Sequence, residues 1–262
     1  MVSYSFTGLL GTAQPTFSTN VHDLEVAWIG GLPRLFSASL PGEGAGYAEY
    51  DLSIPGAAGL VAVRGYNTSV RPLSGIDFTI IPARSGSGGT LVAAGIKPWG
   101  WASHGLTGSA GFGDPLANAL AINPVAVTGA TLGTANYVWF GLAGSSKILA
   151  ATVSDTGAIK LTQALTAAPA GPAPDDLTTV KIGSETVLLA VSAAGNSVTS
   201  YSLAANGTPL QATQVLSVPS ALGFSAPTEV AGLESNGASF AVVSSTQSSS
   251  LTVFRVLPGG IL

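Results

Sequence analysis

The chain has 262 residues, of which 8 % are charged, a net charge of −4 and no cysteine. Charged residues make up about 25 % of an ordinary soluble domain, so a solvating, disordered tail is excluded as the main content. The 9 basic residues form no cluster that could follow a phosphate backbone, so no nucleic-acid partner is expected. The lack of cysteine removes disulfides, thiolate metal sites and cysteine nucleophiles together. No apolar run approaches the ~18 residues of a spanning helix.

In chain order, residues 2–9 alternate Val2, Tyr4 and Phe6 with Ser3, Ser5 and Thr7, the period of a half-buried strand. No basic region precedes them, and the first positive charge is Arg34, so no cleavable secretory signal is expected in this chain. The next run, residues 23–30, reads Asp-Leu-Glu-Val-Ala-Trp-Ile-Gly, again a strand ended by glycine. Further on, Ser85-Gly86-Ser87-Gly88-Gly89 lacks the Lys-Ser/Thr and following helix of a phosphate-binding loop and reads as a hairpin loop. Lys97-Pro98-Trp99-Gly100-Trp101 places two tryptophans about one glycine in what reads as a turn. Residues 137–140, 186–191 and 240–243 are short apolar β-type runs.

A pattern of an apolar or aromatic residue, an aliphatic two positions on and a glycine four further recurs at intervals of about 50 residues. It reads Tyr50, Leu52, Gly56; Ala151, Val153, Gly157; Tyr201, Leu203, Gly207; and Phe254, Val256, Gly260. A degenerate copy lies at His104, Leu106 and Ala110, with Gly111 one place late. The fourth unit divides into runs 177–182, 185–192, 197–203 and 210–216, separated by Gly183-Ser184, Gly195-Asn196 and Asn206-Gly207. Asn-Gly between apolar runs is a strong hairpin signal, so the unit reads as a four-stranded antiparallel meander. The expected fold is all-β, a single β-propeller of five such blades. Its units are 20–70, 71–121, 122–170, 171–222 and 223–262, the last completed by residues 1–10 as the closing strand. A larger ring built with further units is the competing arrangement.

A short polar residue opens each unit's first strand: Asp23, Asp77, Asn123, Asp176 and Glu229. Together with the first strands of units one and four and the Gly207-type turn, these positions resemble the lactonase-like propeller modules of bacterial RTX-type secreted proteins. The glycine- and aspartate-rich nonapeptide repeats of those proteins are absent from this sequence, so their calcium-loaded roll is not implied. What the resemblance implies is a role in binding or display; no catalytic residue transfers.

The acidic positions admit three readings. Asp23, Asp77, Asp176 and Glu229 could gather oxygens for Ca²⁺, which takes six to eight. A pair of them could act as glycosidase carboxylates, which stand ~5 to 9.5 Å apart. Or each side chain could bond its own backbone two residues on, as in an Asx turn. The last is the reading taken, so neither metal nor cofactor is expected. His22 beside Asp23 has no activated serine in a Gly-x-Ser-x-Gly elbow, and His104 occupies an ordinary strand position; no catalytic residue is assigned. Trp99 and Trp101 are assigned as ligand-binding residues, because aromatic faces stack on sugars and anchor protein interfaces.

The reading as a whole is a non-catalytic propeller for adhesion or display. The expected settings are a secreted surface protein or the spike of a virus-like particle, in contact with polysaccharide or a partner subunit and open to oligomer formation. The alternative is a lactonase- or glycosidase-like hydrolase with carboxylates at the channel mouth.

Overall fold

The computed structural model describes residues 21–40, 46–54, 59–66, 71–84, 86, 88–97, 100–107, 111–116, 122–166, 173–217 and 223–262. Alternating and continuous apolar runs punctuated by glycine leave no amphipathic helical period, and the described residues form strands with one 3₁₀ turn at Pro258–Gly260.

Blade one consists of β1 (Val21–Ile29), β2 (Leu32–Ser39), β3 (Gly46–Asp51) and β4 (Gly59–Gly65). Blade two consists of β5 (Arg71–Pro82), β6 (Gly89–Lys97), β7 (Gly100–Leu106) and β8 (Phe112–Leu116). Blade three has β9 (Pro124–Leu132), β10 (Ala135–Leu142), β11 (Lys147–Val153) and β12 (Ile159–Thr166). Blade four has β13 (Asp176–Ile182), β14 (Glu185–Ser192), β15 (Ser197–Leu203) and β16 (Pro209–Ser217). Blade five shows β17 (Pro227–Ser235), β18 (Ala238–Ser245) and β19 (Ser250–Val256). Each sheet is an antiparallel meander whose strands pair in sequence order. The fold is a five-bladed β-propeller. The closing strand expected from residues 2–9 lies outside the described residues, as does Gly56 of the repeat.

The chain divides into two compact units: residues 1–121 with the turn 155–158, and residues 122–154 with 159–262. In the first, Phe36, Tyr47, Phe78, Ile80, Leu91 and Ile96 form the core. In the second, Val187, Leu189, Val230, Val243 and Phe254 form one cluster, and Tyr137, Trp139, Leu188 and Tyr201 another.

The repeated motif marks the third strand of each blade and the turn after it. Tyr50, His104, Ala151, Tyr201 and Phe254 lie on β3, β7, β11, β15 and β19. Ala110 lies outside the described residues, but Gly111, one place late, has φ 98° and opens the way into β8. Gly207 shows why the position is glycine: its φ is 73°, a Cβ there would run into the ring of Tyr137, and its carbonyl accepts a 2.8 Å hydrogen bond from Trp139 Nε1. The glycine lets the β15–β16 turn sit against the indole of blade three. Past β19, Gly259 N–H donates to Glu185 Oε2 (2.9 Å) and Leu262 N–H to Gln214 Oε1 (2.7 Å), tying the end of the chain to blade four.

Candidate functional site

The residues that open the first strands are placed by irregular pairing. Register shifts separate Val21 from Asp23, Pro72 from Asp77 and Pro227 from Glu229, and such a slip re-aims the side chain that follows it. Asp23 Oδ1 accepts from its neighbour Leu24 N–H at 2.7 Å, and Oδ2 reaches Phe78 N–H on β5 at 3.0 Å. Two residues on, and therefore on the same face of β1, Glu25 Oε2 accepts from Ile80 N–H (2.8 Å) and Oε1 from Thr79 Oγ1 (3.4 Å). Blade one thus holds the first strand of blade two by a two-rung ladder of carboxylates.

The same device recurs in the second compact unit. Asp176 Oδ1 accepts from Leu177 N–H and Oδ2 from Val230 N–H on β17, both at 2.7 Å. Its second rung is neutral: Thr178 Oγ1 accepts from Gly232 N–H at 3.3 Å. The expected Asx turn is therefore corrected. The Asp23 and Asp176 side chains bond the N–H one residue on, not two, and spend their second oxygen on the adjoining blade. Asn123, just before β9, is exposed, and Glu229 lies exposed on β17. Among the described residues no three His, Cys, Asp or Glu side chains are grouped as a metal site.

Burial costs a carboxylate its hydration and favours the protonated form. It raises Asp23 above the ordinary carboxylate value, against the opposing pull of the Phe78 and Leu24 N–H bonds, a side-chain hydrogen bond with Asp77 and the charge of His22. Glu25 is raised well above that value, first by burial and then by repulsion from Asp23. A carboxyl raised in the folded state contributes stability that is full below its unfolded value and is lost as pH rises through the folded one. The blade one–blade two ladder is thus firmer in acid. Glu25→Gln keeps an acceptor for Ile80 N–H and removes the charge. It is expected to raise stability near neutral pH and to flatten the gain in melting temperature that the parent shows as pH falls toward the ordinary carboxylate range. A variant whose melting curve follows the parent's pH dependence would show that Glu25 does not set it.

The ligand-binding assignment of Trp101 is corrected. Trp101 is the second residue of β7, pairs with Ala94 of β6 and is fully buried. The turn is shorter than the sequence suggested, because β6 runs to Lys97 and β7 begins at Gly100. Both faces of β7 are covered, so the indole of Trp101 lies inside the protein together with its neighbours Ala102 and Ser103. Trp99 lies outside the described residues. The exposed aromatic that sequence reasoning missed is Trp28, 63 % exposed on β1 in line with Leu24 and Val26, both 59 %. Its signal was the alternation itself, with Glu25, Ala27 and Ile29 on the opposite face.

His22 Nδ1 lies 3.0 Å from the carbonyl of Ile76. This backbone contact orients the ring. His104 is a buried β7 side chain whose Nδ1 lies 3.0 Å from the carbonyl of Gly113. The glycine-rich segment is a hairpin connection closed by Ala83 N–H to Gly88 O at 2.9 Å; Ser85 and Ser87 lie outside the described residues.

No protein-family model matches the sequence, nor does any curated protein. Solved structures share the fold. A functionally unknown protein from Desulfotomaculum acetoxidans is 11 % identical with a TM-score of 0.64, over 94 % of this chain and 69 % of the other. An exo-β-1,3-galactanase from Phanerochaete chrysosporium, solved with β-1,3-galactotriose, is 11 % identical with a TM-score of 0.59, over 93 % of this chain and 62 % of its own. A calcium-binding protein, regucalcin, from Agrobacterium tumefaciens is 15 % identical with a TM-score of 0.50, over 85 % and 67 %. The chain therefore spans less than two thirds of the galactanase. At these identities the likeness is one of fold, the β-propeller; the link to RTX-type secreted proteins has no support among these neighbours.

Proposed function

We propose that this propeller binds carbohydrate without cleaving it. The observation that carries the reading is the use made of the first-strand carboxylates. Both oxygens of Asp23 and both of Asp176 accept backbone N–H groups, and the corresponding position of blade three is Asn123, which cannot act as a general acid. Carboxylates engaged in joining blades are poorly placed to protonate a leaving group or to activate water. A chain with 8 % charged residues offers few ionic contacts and so suits a neutral polyhydroxyl ligand, and a galactanase among the fold neighbours agrees with a sugar. Display on a cell or particle surface, alongside a partner subunit, is the setting we propose.

The second reading, a lactonase- or glycosidase-like hydrolase, draws on the Asp23–Asp77 hydrogen bond and the raised Asp23 carboxyl, the makings of a proton-sharing pair. One experiment separates the two. The protein is passed over immobilised β-1,3-galactan and other neutral polysaccharides, and is incubated in parallel with aryl galactosides and a sugar lactone. Retention without turnover is expected. Turnover that is abolished by Asp77→Asn while the variant still melts normally would replace the binding reading with the hydrolase.

A further inference from the structure

The sequence contains two Asn-Gly steps, Asn206-Gly207 and Asn236-Gly237. Such a step carries a reaction of its own. Because glycine has no side chain to obstruct the approach, its main-chain nitrogen can reach the amide carbon of the preceding asparagine, provided that its N–H is free and the chain has room to turn. The fold holds the two steps in opposite ways.

Asn206-Gly207, between β15 and β16, is clamped. Gly207 is buried, its N–H donates to Ala204 O at 2.9 Å, and its carbonyl accepts from Trp139 Nε1 at 2.8 Å. The Asn206 side-chain oxygen accepts from Thr208 N–H at 3.2 Å. Nucleophile and amide are therefore both engaged. Asn236-Gly237, between β17 and β18, is open. The pairing of Ser235 with Ala238 leaves only these two residues to turn the chain, with φ 51° and 71°, the positive pair of a tight hairpin. Both are exposed, a Cβ at Gly237 would meet nothing within 4 Å, and among the described residues neither the Asn236 side chain nor the Gly237 N–H is engaged in a hydrogen bond. β17 is exposed from Ala231 to its end at Ser235, so the tip opens without uncovering core.

We propose that Asn236 is a site of spontaneous deamidation in this protein and that the fold protects Asn206 from the same reaction. The Gly237 nitrogen loses its proton to solvent base and forms a bond to Asn236 Cγ; the Cγ–NH₂ bond breaks, and ammonia leaves with a proton taken from water. The cyclic succinimide then adds one water molecule. Opening at the side-chain carbonyl gives aspartate, and opening at the main-chain carbonyl gives isoaspartate. Either product places a new negative charge two residues from Glu234. Isoaspartate also lengthens the main chain by a methylene, so the turn no longer holds Ser235 against Ala238 and the β17–β18 hairpin frays from its tip.

The intact protein, folded or unfolded in urea, is held in mildly alkaline buffer made with H₂¹⁸O. The two asparagine-containing peptides are then followed by mass spectrometry, with aspartate and isoaspartate separated chromatographically. The heavy oxygen marks only product formed during the incubation. In urea the two sites share the same reacting residues and should convert at similar rates. In the folded protein Asn236 should convert while Asn206 lags it by at least about tenfold, the effect of having to release the hydrogen bonds that hold Gly207 and Asn206. A ratio in the folded protein no greater than that in urea overturns the proposal, as does an Asn236 that stays intact when folded under conditions that convert both sites in urea.

Discussion

Gly207→Ala is expected to destabilise the protein by about 3 kcal/mol, from left-handed backbone strain and overpacking together. At φ 73° an L-residue is strained before any contact is considered. The new methyl would also enter the ring of Tyr137, which stacks on Trp139 at a centroid distance of 6.1 Å, so moving one ring disturbs the indole that donates to the Gly207 carbonyl. Gly183→Ala is the control. Its φ is 60°, but a Cβ there meets nothing within 4 Å, so it should cost only the strain of a left-handed residue, about 1 to 2 kcal/mol. Denaturant midpoints for the two variants check the difference. Equal losses would mean that the β15–β16 turn yields to a methyl group and that the fit against Tyr137 and Trp139 adds nothing.

Arg34→Met should cost still more, about 3 to 5 kcal/mol, the range for removing one partner of a buried ion pair. Arg34 and Glu49 are 7 % and 3 % exposed. Arg34 Nε lies 3.7 Å from Glu49 Oε1, and Nη1 lies 3.2 Å from Asp51 Oδ2. Burial raises the Glu49 carboxyl, and the guanidinium is the foremost influence holding it down, ahead of a hydrogen bond from Gly111 N–H. Methionine fills most of the arginine's volume and leaves Glu49 facing the interior without its counter-charge. Adding Glu49→Gln to the methionine variant should recover much of the loss, because the buried charge is then gone. A loss below about 1 kcal/mol in urea unfolding would place this pair with ordinary surface ion pairs.

Local chemistry in the sequence was enough to define the blade. The turns at Gly183-Ser184, Gly195-Asn196 and Asn206-Gly207 fall where glycine or asparagine takes positive φ, with Gly183 at 60°, Asn196 at 48° and Gly207 at 73°. The strands between them match the sequence runs to within a residue, as β13 at Asp176–Ile182 and β16 at Pro209–Ser217 show. Such features are legible because a hairpin is decided by dihedral preference and by a two-residue period, both carried by neighbours in the chain.

What one blade does to the next was not legible. The sequence marked Asp23 and Asp176 as a recurring pair, but their partners, Phe78 N–H and Val230 N–H, are backbone groups that any residue except proline supplies. No side-chain pattern announces them. Glu25 passed unnoticed for the same reason: its partner Ile80 N–H lies on another strand. Trp101 was misplaced because the bend was read as two residues longer than it is, and the strand that resumes at Gly100 is buried along almost its whole length, on both faces. Sequence alone thus determined the strands, the turns and the five-fold repetition, which depend on local conformational preference. Only the tertiary structure decided that the acidic residues join blades and that Trp101 is core while Trp28 is exposed, because burial is settled by which sheet face meets a neighbour.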